Sequence, residues 1–228
     1  SQGSLSLTVG GNLSATLAKA SVNATLNVGG AGVVEKLSAG SNLSIETGGL
    51  LEVSDISGQS AEVISGGTTK LTSALGDLTL LSSGDAEVSE LDDLLVNSVE
   101  VSQGSLSLAV GGNLSATLAS ASVNATLKVG GTGVVGKLSS GANLSIETGG
   151  LLDVSDISGQ SAEVTSSGTT KLTGALDDLT LLSSGDAEVT ELDDLLVNSL
   201  EVSQGSLSLA VGGNLSATLA KASANATL

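Results

Sequence analysis

The feature that most constrains this chain is that it repeats itself. The segment that begins at Ser1 returns at Ser102 and again at Ser203, which sets a period of 101 residues. Copy 1 (residues 1–101) and copy 2 (102–202) differ at 14 positions, and residues 203–228 begin a third, partial copy. We expect these copies to form one continuous stack of equivalent layers and to be a window on a longer tandem array.

A shorter unit recurs inside each copy and is most regular at residues 43–56. It consists of an alternating run, the glycine pair Gly48-Gly49 and a second alternating run. Aligning the residues that precede each such corner requires a weaker sixth corner at Asn97-Ser98. The aligned residues are Leu7, Leu26, Ile45, Val63, Leu80 and Leu94. The sequence therefore predicts about six turns in each copy.

Alternation of Leu, Val or Ile with polar residues is the period-two pattern of half-buried strands. A helix is excluded because the apolar positions step by two and glycine pairs interrupt the chain. Strands this short bury their apolar faces only if successive turns stack, at about 4.8 Å. We therefore predict an all-β fold, a parallel β-helix or β-solenoid, right-handed by the general preference of such crossovers. Glycine is expected at the corners because tight bends need backbone conformations open mainly to residues without a Cβ.

Composition limits both the interior and the function. The chain has no aromatic residue, Cys, His or Pro, and all seven basic residues are lysines. The core must therefore be aliphatic. A net charge of −17 argues against nucleic acid and anionic membranes as partners. No apolar run reaches the roughly 18 residues of a spanning helix, so we expect no membrane insertion.

Catalysis is not expected either. The chain has no His, Arg, Tyr or Cys, so only carboxylates such as Asp92 and Asp93, Lys and hydroxyl groups remain for acid–base catalysis. Any such site would recur every 101 residues, which is unusual for a catalyst. We predict that the protein is not an enzyme and has no small-molecule substrate.

Stacked turns predict ladders of outward side chains. Lys70 is expected between Glu52 and Glu87 on neighbouring turns, and Lys36 above Asp55. In copy 2 the corresponding residues are Lys171, Asp153, Glu188, Lys137 and Asp156.

The end of each copy is acidic, and the six-turn alignment sets Glu87 beside Glu100. Repulsion there would be relieved by a hard divalent cation such as calcium, and a solvated acidic surface is the alternative. The candidate ligands are Asp85, Glu87, Glu90, Asp92, Asp93 and Glu100. We expect no other cofactor.

Eight asparagines stand in Asn-X-Ser/Thr triplets, the acceptor pattern for N-glycosylation. They are Asn12, Asn23, Asn42, Asn113, Asn124, Asn143, Asn214 and Asn225. Strands that alternate with Ser or Thr also create this pattern by accident, so both interpretations stay open.

The glycine-pair corners and the Ser-Leu-Ser-Leu strands, which cover the whole chain, resemble the β-solenoid shafts of giant secreted prokaryotic surface proteins. These include filamentous-haemagglutinin-like adhesins, autotransporter passengers and surface fibres. The resemblance implies an extracellular or cell-surface segment of a filament, stalk or sheath that associates with itself along or between filaments. The alternative is an adhesin or other binding surface for cells or glycans. An ice-binding face is disfavoured because no Thr-X-Thr column persists.

Overall fold

The structure is a computed structural model that describes residues 3–228 of the chain. These residues contain strands and no helix, and they form a parallel β-solenoid of about 12 turns with about 19 residues per turn. The predicted fold class is thereby confirmed. Leu43, Ile45, Leu51, Val53 and Ile56 are all buried, as predicted. The buried side chains form one aliphatic cluster that continues from turn to turn.

Strands follow one another along the chain with short corners between them. In copy 1 they are β1 (Leu5–Val9), β2 (Leu13–Lys19), β3 (Ala24–Val28), β4 (Gly32–Ser38), β5 (Asn42–Thr47), β6 (Leu51–Ser65), β7 (Thr69–Ser82), β8 (Ala86–Glu90) and β9 (Leu94–Val101). In copy 2 they are β10 (Leu106–Val110), β11 (Leu114–Ala121), β12 (Ala125–Val129), β13 (Gly133–Ser140), β14 (Asn143–Thr148), β15 (Leu152–Ser166), β16 (Thr170–Ser183), β17 (Ala187–Glu191) and β18 (Leu195–Val202). The partial copy adds β19 (Leu207–Val211), β20 (Leu215–Ala217), β21 (Ala220–Ala222) and β22 (Ala226–Thr227).

Parallel pairing builds two broad faces on opposite sides of the solenoid. Face A begins with β1, β3 and β5, and face B begins with β2 and β4. The long strands β6 and β7 bend between the faces, so their first halves extend face B and their second halves extend face A. Residues 57–60 and 76–77 therefore lie inside continuous strands and not in linkers between strands.

Each copy makes five and a half turns, which refines the expected number of six. β19 begins 202 residues, or two copies, after β1. Eleven successive pairings along face A connect the two strands, so two copies make eleven turns. Equivalent residues of adjacent copies therefore lie on opposite faces. Leu5 of β1 lies on face A, whereas its counterpart Leu106 pairs with Ala86 of β8 on face B.

The predicted corner at Asn97-Ser98 is wrong. Both residues lie within β9, at a point where the pairing with β7 shifts by one residue. The corner lies instead at Leu91-Asp92, where Gly112 N of the next turn donates to Asp92 O. Residues 99–101, which follow the predicted corner, are the end of the same strand β9.

The physical reason predicted for the corner glycines is also wrong. None of the glycines in the described part of the chain has a positive φ. A Cβ built on Gly48 would instead collide with the carbonyl oxygen of Gly29, and one on Gly66 with that of Gly48. Glycine is favoured at Gly48 because successive turns approach backbone to backbone, whereas copy 2 has Ser167 at the position that corresponds to Gly66.

Candidate functional surfaces

The predicted charge ladders are present on the outward side of the solenoid. Lys70 is paired in register with Glu52 and Glu87, and its Nζ lies 3.1 Å from Glu87 Oε2. Lys36 forms an ion pair with Asp55. Copy 2 repeats both ladders on the other face, with Lys137–Asp156 at 2.7 Å and Lys171–Glu188 at 3.7 Å. All these side chains are about half exposed, so each pair stabilises by about 1 kcal/mol or less.

One further ladder was not predicted. Lys128 Nζ lies 2.9 Å from Glu147 Oε2. In copy 1 the corresponding residues form an amide hydrogen bond, from Asn27 Nδ2 to Glu46 at 3.2 Å. The signal was visible in the sequence as oppositely charged or polar residues 19 apart, the spacing of one turn.

The six candidate calcium ligands are not brought together. Glu87 lies outward on face B between Lys70 and Ser107, whereas Glu100 lies on face A beside Leu81 and Ser120. The expected adjacency of Glu87 and Glu100 is therefore wrong, because the sixth corner was misplaced. Within residues 3–228, no group of three or more acidic side chains is arranged so as to hold a metal ion.

Two of these carboxylates accept hydrogen bonds from backbone N–H groups of the next turn. Asp85 Oδ1 accepts a hydrogen bond from Ser105 N at 2.8 Å. Asp93 Oδ1 accepts from both Asn113 N and Asn113 Nδ2, at 2.7 and 3.1 Å. In copy 2 the equivalent bonds from Asn214 lower the pKa of the Asp194 carboxyl. These carboxylates link one corner to the corner stacked on it. The corners that contain Asp85 and Asp93 themselves have no glycine pair.

A third candidate ligand, Glu90, points into the core and is 3% exposed. Its Oε2 accepts hydrogen bonds from Ser73 Oγ at 2.6 Å and Leu75 N at 2.9 Å, and its Oε1 accepts from Leu91 N at 3.0 Å. The sequence contains the signal, since alternation along Ala86, Val88 and Glu90 places all three inward. The carboxylate fills the place where the continuous strand β7 meets the corner after β8.

Glu191 occupies the same place in copy 2, but the residue that corresponds to Ser73 is Gly174. Glu191 therefore keeps the bonds from Leu176 N and Leu192 N, at 3.0 and 2.9 Å, and has no serine donor at that position. Burial raises the pKa of Glu191 above its ordinary value. The hydrogen bonds from the backbone of Leu176, Leu192 and Asp193 lower that pKa and so oppose the effect of burial.

The asparagines of the Asn-X-Ser/Thr triplets lie directly before strands, except Asn42 and Asn143, which are the first residues of β5 and β14. Asn12 Oδ1 accepts a hydrogen bond from Ala31 N at 2.9 Å, and Asn113 Oδ1 accepts from Thr132 N at 2.9 Å. Asn23 and Asn124 accept in the same way from the backbone N–H of Asn42 and Asn143, both at 3.2 Å. The pattern thus has a structural role, that of linking one turn to the next, whether or not any asparagine carries a glycan.

Face A carries a shallow polar groove of about 520 Å³. Its floor is formed at the buried residues Ala24, Leu43 and Ala61. One rim column consists of Asn23, Asn42, Ser60 and Asp77, and the other lies two residues further along the chain on each turn. The polar lining residues are Asn23, Thr25, Asn42, Ser44, Ser60, Glu62, Asp77, Thr79 and Asn97. We call this surface the polar groove.

The described part of the chain contains no helix long and apolar enough to cross a bilayer. Comparison of the chain with models of known protein families, with curated proteins and with solved structures found no match.

Proposed function

We propose that this chain is a segment of an extracellular or cell-surface shaft, whose function is to provide length and rigidity. The observation that carries the proposal is the uninterrupted pairing across the boundaries between copies. β9 of copy 1 pairs with β11 of copy 2, and β18 pairs with β20, in the same parallel arrangement as strands within a copy. Adding a copy therefore extends one body and does not add a separate domain.

Internal comparison of the copies supports a structural role. Of the 14 differences, most fall at outward or corner positions, and the inward exceptions include Ser73/Gly174 and Val99/Leu200. The interior layers are thus nearly identical, while outward charges such as Lys19 and Glu35 are replaced in copy 2 by Ser120 and Gly136. This pattern fits a protein in which both copies need the same interior in order to stack on neighbouring turns.

We propose further that the chain is not an enzyme and that it associates with other copies along or between filaments. The absence of His, Cys, Arg and Tyr from the sequence supports the first point. Supporting the second, stacked turns offer their backbone hydrogen-bonding groups along the shaft axis. A net charge of −17 disfavours unscreened side-by-side contact, so association along the axis is the simpler arrangement.

The test is to measure length against copy number. Chains with two, four and eight copies, purified without a partner, would be imaged by electron microscopy and measured by small-angle scattering. Each copy should add about 26 Å, from five and a half turns at about 4.8 Å. Particles that thicken or stay globular as copies are added would contradict the proposal.

A further inference from the structure

The polar groove is an outward surface whose polar lining is the same in both copies. All nine polar lining residues of copy 1 have identical counterparts in copy 2, on face B. The next outward column on the same face does not behave this way, because Thr8, Asn27 and Ile64 are replaced by Ala109, Lys128 and Thr165. Hydrogen bonds between turns account for the preservation of Asn23, Asn42 and Ser60, so the rim column of Thr25, Ser44, Glu62 and Thr79 is the part whose preservation stacking does not explain.

From this we propose that the polar groove binds a neutral, linear polysaccharide lying along the shaft axis. The lining offers amide and hydroxyl groups, which donate and accept hydrogen bonds to sugar hydroxyls. It also includes the carboxylates of Glu62 and Asp77 and no cationic residue. Those carboxylates accept hydrogen bonds from sugar hydroxyls and repel phosphate, sulfate and uronate groups.

The regular spacing of polar groups along the groove favours a ligand built from repeating units. Thr25, Ser44, Glu62 and Thr79 are paired in register on four successive turns. Equivalent polar groups therefore recur every 4.8 Å or so along the axis. An extended sugar chain, whose hydroxyl groups recur at every unit, matches such a row better than a compact ligand.

The inner rim column is already ordered by the protein. Asn23 Oδ1 accepts from Asn42 N at 3.2 Å, and Asn42 Oδ1 accepts from Ser60 Oγ at 3.0 Å. Side chains held in this way lose little conformational entropy when a ligand binds. Because the chain has no aromatic residue on which a sugar could stack, each groove must bind weakly, and grooves repeated along an array would supply avidity.

The experiment is an NMR titration of the ¹⁵N-labelled 228-residue chain with cellohexaose as the neutral linear probe. Oligogalacturonate and spermine serve as anionic and cationic comparisons. Saturable shifts confined to groove residues of both copies are expected, with little response to either charged probe. The groove variant replaces Ser44, Thr79, Ser145 and Thr180 with Val, which suits an outward strand position. It should weaken binding at least about fivefold, because two hydroxyl partners are lost in each groove.

The matched control is Thr8→Val, which removes a hydroxyl from the same face outside the groove and should leave the affinity unchanged. Backbone spectra of both variants establish that the solenoid is intact. The proposal is overturned if cellohexaose gives no saturable shifts, if the shifts lie elsewhere, or if the groove variant binds as wild type does. It is also overturned if a charged probe binds as tightly as cellohexaose. The copy-number measurement of the shaft is independent of every one of these outcomes.

Discussion

Replacing Glu90 with Val should destabilise the solenoid, even though valine occupies the paired inward position one turn later. Val110 is the paired residue in the next layer, so the aliphatic side chain fits the column. The cost arises from a backbone group. Leu75 N donates to Glu90 Oε2, and Leu75 is buried.

The size of the destabilisation depends on which hydrogen-bond partners would remain in Glu90→Val. Leu91 N keeps a second acceptor in Ser73 O at 3.3 Å, and Ser73 Oγ keeps Ser89 O at 3.3 Å. The Leu75 N–H is therefore the main group left unsatisfied in Glu90→Val, at a cost of about 1–3 kcal/mol. Removing a desolvated carboxylate offsets part of this cost, which leaves an expected net loss of about 1–2 kcal/mol.

Local stability should be measured by native-state hydrogen exchange, because a stack of repeats need not unfold in one step. The Leu75 amide should lose protection in Glu90→Val. Glu87→Val is the matched control on the same strand, since it removes only an exposed ion pair and should cost less than about 1 kcal/mol. If Glu90→Val is as stable as wild type or more stable, the carboxylate is not needed as an acceptor and the reasoning fails.

Three other predictions concern the corners, the ladders and pH. Gly48→Ala should cost about 1–3 kcal/mol in thermal unfolding because its Cβ meets the Gly29 carbonyl. Gly10→Ala, where no atom lies within 4 Å of the new Cβ, should be neutral or slightly stabilising. A double-mutant cycle between Lys70 and Glu87 should give about 0.2–1 kcal/mol that shrinks with salt, and an unchanged value in high salt would contradict a surface ion pair. Since the pKa of Glu191 is raised in the folded state, wild-type stability should fall relative to Glu191→Gln as the pH rises above 4.5, and parallel curves would refute this.

Sequence alternation was enough to predict the solenoid and its inward residues. It also predicted the ladders of Lys36 and Lys70, because one turn of 17–19 residues fixes which outward side chains become neighbours. These features depend on period-two parity and on glycine spacing, and both are local properties of the sequence.

The half turn could not be predicted from glycine spacing, because the decisive corner at Leu91-Asp92 contains no glycine. Its geometry depends on contacts between turns, namely Asp93 with Asn113 and Glu90 with Leu75. A local signal did exist at β9. The buried positions Val96 and Val99 are three apart, as are Val34 and Leu37 within β4 and Val53 and Ile56 within β6, so this step indicates an irregularity within a strand and not a corner. The polar groove was missed because its lining combines residues from several turns.

The half-integer number of turns in each copy has a consequence for the straightness of a long array. Turns of unequal length bend a solenoid toward one side, and in most repeat proteins such bends add up into a superhelix. Here each copy is rotated by half a turn relative to the one before it, so a bend in residues 1–101 would be opposed by the same bend in residues 102–202. We therefore expect curvature to cancel every eleven turns, so that a longer array made from this repeat would be straight.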